Sequence, residues 1–121
     1  MSPGRQTLPP ASVEDFHTLD IRSGVVVRAL PFPEARKPAM QLWVDFGGEI
    51  GVLASSAQLT HHYTPGGLVG TEVLGVVNFP PRRIAGFRSE CLVLGMVDPQ
   101  DSGHVVLVRP DLPITRGWRL G

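Results

Sequence analysis

Two short segments of this 121-residue chain concentrate the side chains best suited to gripping a ligand. Residues 31–38 read Pro-Phe-Pro-Glu-Ala-Arg-Lys-Pro, and residues 79–89 read Phe-Pro-Pro-Arg-Arg-Ile-Ala-Gly-Phe-Arg-Ser. Together they hold Arg36, Lys37, Arg82, Arg83 and Arg88 against one acid, Glu34, and three of the five phenylalanines: Phe32, Phe79 and Phe87. The chain as a whole is neutral, with 11 basic and 11 acidic residues. The zero is therefore a cancellation, about +4 on these segments against about −4 elsewhere. Arginines among aromatic rings suit two ligand classes. Guanidinium groups grip phosphates while rings stack on unpaired bases. The same mixture holds an extended peptide, with apolar side chains on the rings and carbonyls or acids on the arginines.

Other polar groups give weaker leads. Ser55, Ser56 and Gln58 precede a stretch that reads as a helical turn, so the serines are either N-caps or the polar wall of a ligand site. His61 and His62 are adjacent and point apart on any regular element, which argues against a shared metal. Cys91 lies in an apolar run and reads as a buried, inert thiol. Ser89 sits beside Glu90, but no base lies close in sequence to activate its hydroxyl. No nucleophile elbow, P-loop, dinucleotide fingerprint or H-E-x-x-H occurs. The expectation is a binding protein and not an enzyme, with no metal and no cofactor.

The elements that position these residues follow from the hydrophobic pattern. Residues 1–11 contain Pro3, Pro9 and Pro10 and read as a flexible tail, leaving residues 12–121 as the domain. Ser12–Leu19 reads as a short helix capped by Ser12, with Glu14 and Asp15 at its positive end. So short a helix needs something to pack on, the domain or a second subunit. Ile21–Leu30 is a valine-rich strand in which Gly24 suggests a bulge or bend. Met40, Leu42, Val44 and Phe46 alternate with polar positions and Trp43, the sign of a strand with one buried face. Gly47-Gly48 then turns the chain into a third strand from Ile50 to Leu53. Ser55–His62 is the helical turn, ended by Tyr63–Gly67. Glu72–Phe79, Cys91–Val97 and His104–Val108 are further strands, residues 80–88 a long loop, and Pro110–Gly121 irregular with one short edge strand. Five strands with a helical turn between the third and fourth is the order of an OB-fold, a mainly all-β Greek-key barrel. Here it carries a short N-terminal helix and an extra C-terminal strand. The ligand loops of that fold join strands one to two and four to five. They are the two basic, aromatic segments.

Composition sets the outer bounds. A sequence pI near 6.9 excludes a polycation that coats nucleic acid by bulk charge. No apolar run approaches the roughly 18 residues of a membrane helix, and the N-terminus lacks the apolar region of a secretory signal. A single cysteine excludes an internal disulfide framework. A soluble, cytoplasmic protein is expected.

Three segments are familiar as a set: Leu19-Asp-Ile-Arg-Ser-Gly24, Ser55-Ser-Ala-Gln58, and Asn78-Phe-Pro-Pro-Arg-Arg-Ile-Ala-Gly-Phe-Arg-Ser-Glu-Cys-Leu-Val-Leu-Gly95. With them the chain resembles the tRNA-binding-domain family over about residues 13–121. It is most similar to the stand-alone, CsaA-type branch described as export-related chaperones, a match that Phe32-Pro-Glu-Ala-Arg36 supports. The resemblance implies an OB-fold homodimer, paired through the N-terminal helix and C-terminal strands, with a ligand pocket beside each interface. It implies unfolded export precursors and the translocation ATPase SecA as partners in protein secretion, or tRNA for the wider, RNA-binding family. By position, Asn78, Arg82, Arg83 and Ser89 match the polar core of the family motif, and Arg36, Ser55, Ser56 and Gln58 match CsaA-type segments. Synthetase-type members continue Ser-x-Gly-Met where this chain reads Ser89-Glu-Cys-Leu92. They also tend to be lysine-rich, whereas Lys37 is the only lysine here. Glu90 places a negative charge beside the basic loop, which disfavours phosphate if it faces the site.

Overall fold

The computed structural model describes residues 7–121, so the first six residues of the expected tail lie outside the described residues. Residues 7–11 are exposed and irregular, and lead into helix α1 (Val13–His17). Ser12 caps α1 reciprocally: its hydroxyl accepts from Asp15 N at 3.1 Å, and the Asp15 carboxylate accepts from Ser12 N at 2.9 Å. No residue of α1 is buried.

Strands β1 (Ile21–Pro31), β2 (Met40–Asp45) and β3 (Val52–Ala57) form an antiparallel meander, and β4 (Glu72–Val76) pairs with the first half of β1. With β7 (Leu92–Val93) they make one sheet in the order β3-β2-β1-β4-β7. β1 belongs to both halves because its register shifts between Val26 and Arg28, which bends the strand. The bend falls at Val27, not at the Gly24 that the sequence suggested. Gly24 has another cause. A Cβ there would meet Val44 Cγ1 at 2.6 Å and Phe46 Cδ1 at 2.9 Å, and one on Gly75 of β4 would meet Phe46 Cζ at 2.8 Å. The two glycines make room for one ring, and Phe46 is 1% exposed in the barrel centre. With it in one core cluster are Val26, Val73 and Leu107, and Met40, Leu42 and Val44, the face that the alternating pattern foretold.

Three stretches differ from the sequence reading, the first of them in both its strand and its helix. The third strand begins at Val52 and runs through Ser55 and Ser56, which are therefore strand residues and not helix caps. The interior helix is α2 (Pro65–Leu68), capped by Thr64, whose hydroxyl accepts from Gly67 N at 3.2 Å. Pro65 has the fixed φ of a first helical position, so the proline and glycines read as breakers start the helix instead. Leu68, 1% exposed, plugs the barrel beneath β1. Second, the long loop is a β-hairpin of β5 (Arg82–Ile84) and β6 (Phe87–Ser89). Its two-residue turn holds Ala85 at φ 47 and Gly86 at φ 81, the paired left-handed conformation of a tight hairpin. Third, the expected strand over Cys91–Val97 is broken at Leu94. β8 (Gly95–Asp98) leaves the barrel to pair with β9 (Asp101–Leu107). The C-terminal segment runs beside β1, where Ser23 N donates to Trp118 O at 2.9 Å and Leu120 N to Ile21 O at 2.8 Å.

Candidate binding site

The barrel closes where residues 89–91 meet the free edge of β3. Glu90 N and Cys91 N both donate to Ala54 O, at 2.7 and 3.2 Å. The edge donors are taken by side chains: Ala54 N donates to Glu90 Oε1 at 3.0 Å, and Ser56 N to Ser89 Oγ at 3.1 Å. Ser89 and Glu90 thus close the barrel where a backbone ladder would otherwise do so. They also orient the β5–β6 hairpin above β3.

A pocket of about 210 Å³ opens between that hairpin and β3. Phe79, Pro80, Ile84 and Leu92 make its walls largely apolar, and Phe79 and Leu92 stay 43% and 46% exposed. Polar groups lie at its edge: Ser56, Arg82, Ser89 and Glu90. Arg82 is exposed and free of ion pairs among the described residues, so its guanidinium is available to a ligand. Glu90 is not a loose charge; one oxygen serves Ala54 N and the other lies 3.7 Å from Arg88 Nε. Cys91 forms part of the base, and burial pushes its thiol up to about 12. It is inert at neutral pH.

The remaining sequence candidates divide by position. Phe32 is 3% exposed and packs edge-on against Phe87, with ring centroids 5.4 Å apart. Phe87 in turn meets Trp43 of β2 at 5.7 Å. An aromatic cluster therefore joins the start of the 31–38 loop to the turn end of the β5–β6 hairpin, and Phe79 is the most exposed of the three phenylalanines. Ser55 points inward, wholly buried, its hydroxyl without a hydrogen-bond partner. Asn78 accepts from Asp20 N and donates to Thr18 O, both at 2.9 Å, and so fixes the end of α1. Arg83 donates to Gly86 O within its own hairpin at 3.3 Å. Arg36 is exposed on the 31–38 loop, and Gln58 lines a neighbouring hollow.

Sequence reading missed Trp43 and Arg28. Trp43 lies on the outward face of β2, and the Arg28 guanidinium sits 4.6 Å above its ring centre. The signal was present: Trp43 is the one aromatic among the outward positions of an alternating strand. With Phe87 against it and Arg28 over its face, that ring is covered rather than open to a stacking base.

Comparison with known proteins places this architecture. Residues 21–119 match the family described as "Putative tRNA binding domain". The crystal structure of chaperone CsaA from Bacillus anthracis str. Ames is 50% identical, with a TM-score of 0.86 over 93% of this chain and 100% of that one. The chain belongs to the CsaA-type branch of the tRNA-binding-domain family. A CsaA chaperone protein from Picrophilus torridus is 39% identical, with a TM-score of 0.85 over 93% of this chain and 100% of that one. The methionine–tRNA ligase of Porphyromonas gingivalis is 35% identical over 94 residues, 78% of this chain. This chain spans only 13% of that ligase, so the ligase's activity does not transfer with the likeness. The OB-fold reading holds, with its helical turn moved to α2. Among the described residues no helix is long and apolar enough to cross a membrane.

Proposed function

We propose that this CsaA-type protein captures extended, unfolded polypeptide, export precursors among them, in the pocket between β3 and the β5–β6 hairpin. The observation that carries this reading is the character of that pocket. It is walled by half-exposed Phe79 and Leu92, of a size for one or two apolar side chains, and edged by a single free guanidinium, Arg82. Glu90 in its wall repels phosphate, and the ring of Trp43 beneath the hairpin turn is already covered by Arg28. Both features favour peptide over nucleic acid. Hand-over to SecA and a role in secretion complete this proposal, and the likeness to CsaA chaperones supports it. Binding, rather than catalysis, is the work assigned to every group in the pocket, and the protein acts in the cytoplasm.

The active form is a homodimer. No residue of α1 is buried, Val13 is 68% exposed, and Trp118 and Leu120 are 58% and 40% exposed on the segment that Arg119 ties to α1 through His17 O. A second copy covering this face gives α1 the partner that so short a helix needs.

The rival ligand is tRNA, favoured by Arg82, Arg83 and Arg88 projecting from one exposed hairpin. Titration with a reduced, alkylated unfolded protein and with bulk tRNA, at roughly 50 and 200 mM salt, separates them. Polypeptide capture predicts micromolar binding of the unfolded protein that changes little with salt. Tight tRNA binding that collapses with salt, without binding of the unfolded protein, overturns it.

A further inference from the structure

The alternation of buried and exposed residues along β3 runs on past the strand's end at Ala57 as far as Thr60, where the chain turns. Ala57 and Leu59 are buried, whereas Ser56, Gln58 and Thr60 face outward. Side chains two residues apart on such a row stand about 7 Å from each other. Ser56 borders the apolar pocket, while Gln58 and Thr60 border a second hollow of about 340 Å³. The other walls of that hollow include Lys37 from the 31–38 loop, His61, and Ser102 from the start of β9. Its chemistry is the reverse of the first: an amide, two hydroxyls, an imidazole and the chain's only lysine. The nearby acid, Asp101, is engaged locally. Its Oδ1 accepts from Gly103 N at 3.1 Å, and its Oδ2 lies 3.8 Å from His61 Nδ1. Lys37 forms no ion pair among the described residues.

An extended polypeptide repeats its side chains with the same two-residue period. A residue seated in the apolar pocket therefore directs the residue two positions along the peptide into the second hollow. We propose that the site selects extended segments carrying an apolar residue and an aspartate or glutamate two positions apart, the carboxylate being held by Lys37, Gln58 and Thr60. The apolar walls of Phe79, Ile84 and Leu92 set the register, because they favour an apolar side chain over a carboxylate there. This rests on the polypeptide reading of the pocket and adds its specificity.

The test uses short fluorescent peptides and the full chain, followed by anisotropy. One pair of peptides carries Leu with Glu two positions before or after it; control peptides replace Glu by Gln, move Glu next to Leu, or replace Leu by Ser. The better Glu peptide binds about five- to tenfold more tightly than its Gln control. Moving Glu to the adjacent position removes that gain, and so does Lys37→Gln in the protein. Equal binding of the Glu and Gln peptides, or a preference that survives Lys37→Gln, overturns the selectivity while leaving polypeptide capture intact. If the Ser control binds as well as its Leu parent, or no peptide binds, capture in the apolar pocket itself fails. A short single-stranded oligonucleotide that binds more tightly than the Glu peptide assigns the hollow to nucleic acid instead.

Discussion

The 31–38 loop and the 79–89 segment are both basic, aromatic and proline-bearing, yet the fold uses them in opposite ways. In the first, the aromatic residue is a root: Phe32 is 3% exposed, and the loop is irregular around it. In the second, the chain stands out as the β5–β6 hairpin, with Phe79 43% exposed at its base and its arginines in solvent. Phe87 links the two by packing against Phe32. Basic-aromatic composition marks both segments alike, but burial decides which ring holds the loops and which is left open to solvent.

The sharpest way to break that contrast is to truncate both rings. Phe32→Ala is expected to cost about 3–5 kcal/mol of stability in denaturant unfolding, as for other fully buried rings. Phe79→Ala is expected to cost less than about 0.5 kcal/mol, as at exposed sites, while weakening polypeptide binding. Similar losses from the two would mean that Phe79 is also structural. At the seam below the hairpin, Glu90→Ala leaves Ala54 N without its side-chain acceptor and is expected to cost about 1–3 kcal/mol. Glu90→Gln keeps an acceptor, so it recovers most of that loss in the same unfolding measurement. A seam that depends on the charge instead would show Gln as damaging as Ala. At the turn, Ala85 adopts a left-handed conformation that glycine takes without strain. Ala85→Gly is therefore expected to raise stability by about 0.5–1 kcal/mol. The smallest stability effect belongs to Arg82→Ala combined with Arg83→Ala. Both side chains are exposed, so the melting temperature stays within about a degree or two. Ligand binding falls, and a large drop in melting temperature would show the arginines to be structural.

Much of the barrel was legible because its signals are local and periodic. Met40, Leu42, Val44 and Phe46 alternate, and each is buried. The capping of α1 by Ser12 was also readable, since its partners lie within one turn. The errors arose where long-range closeness decides. Ser55 and Ser56 resemble helix caps, but pairing with Leu42 and Gln41 of β2 keeps them extended. The β5–β6 turn lacks the usual Asn-Gly signal, because alanine occupies a left-handed position there. Among site residues, the spacing of Phe79, Arg82 and Ser89 placed them near one another, and Ser56 joined them only through the barrel seam. No sequence pattern pairs Glu90 with Ala54, or seats Arg28 on Trp43. Those contacts come from closure of the barrel and from the register of β1 on β2.

The central claim is that the apolar pocket beside β3, and not the arginine field around it, supplies the binding energy. Calorimetric titration of the protein with a reduced, alkylated unfolded polypeptide at several temperatures tests this directly. Burial of apolar surface predicts a distinctly negative heat-capacity change, reduced by Phe79→Ser and little altered by salt. A heat-capacity change near zero, with binding that survives Phe79→Ser and vanishes as salt rises, would contradict it.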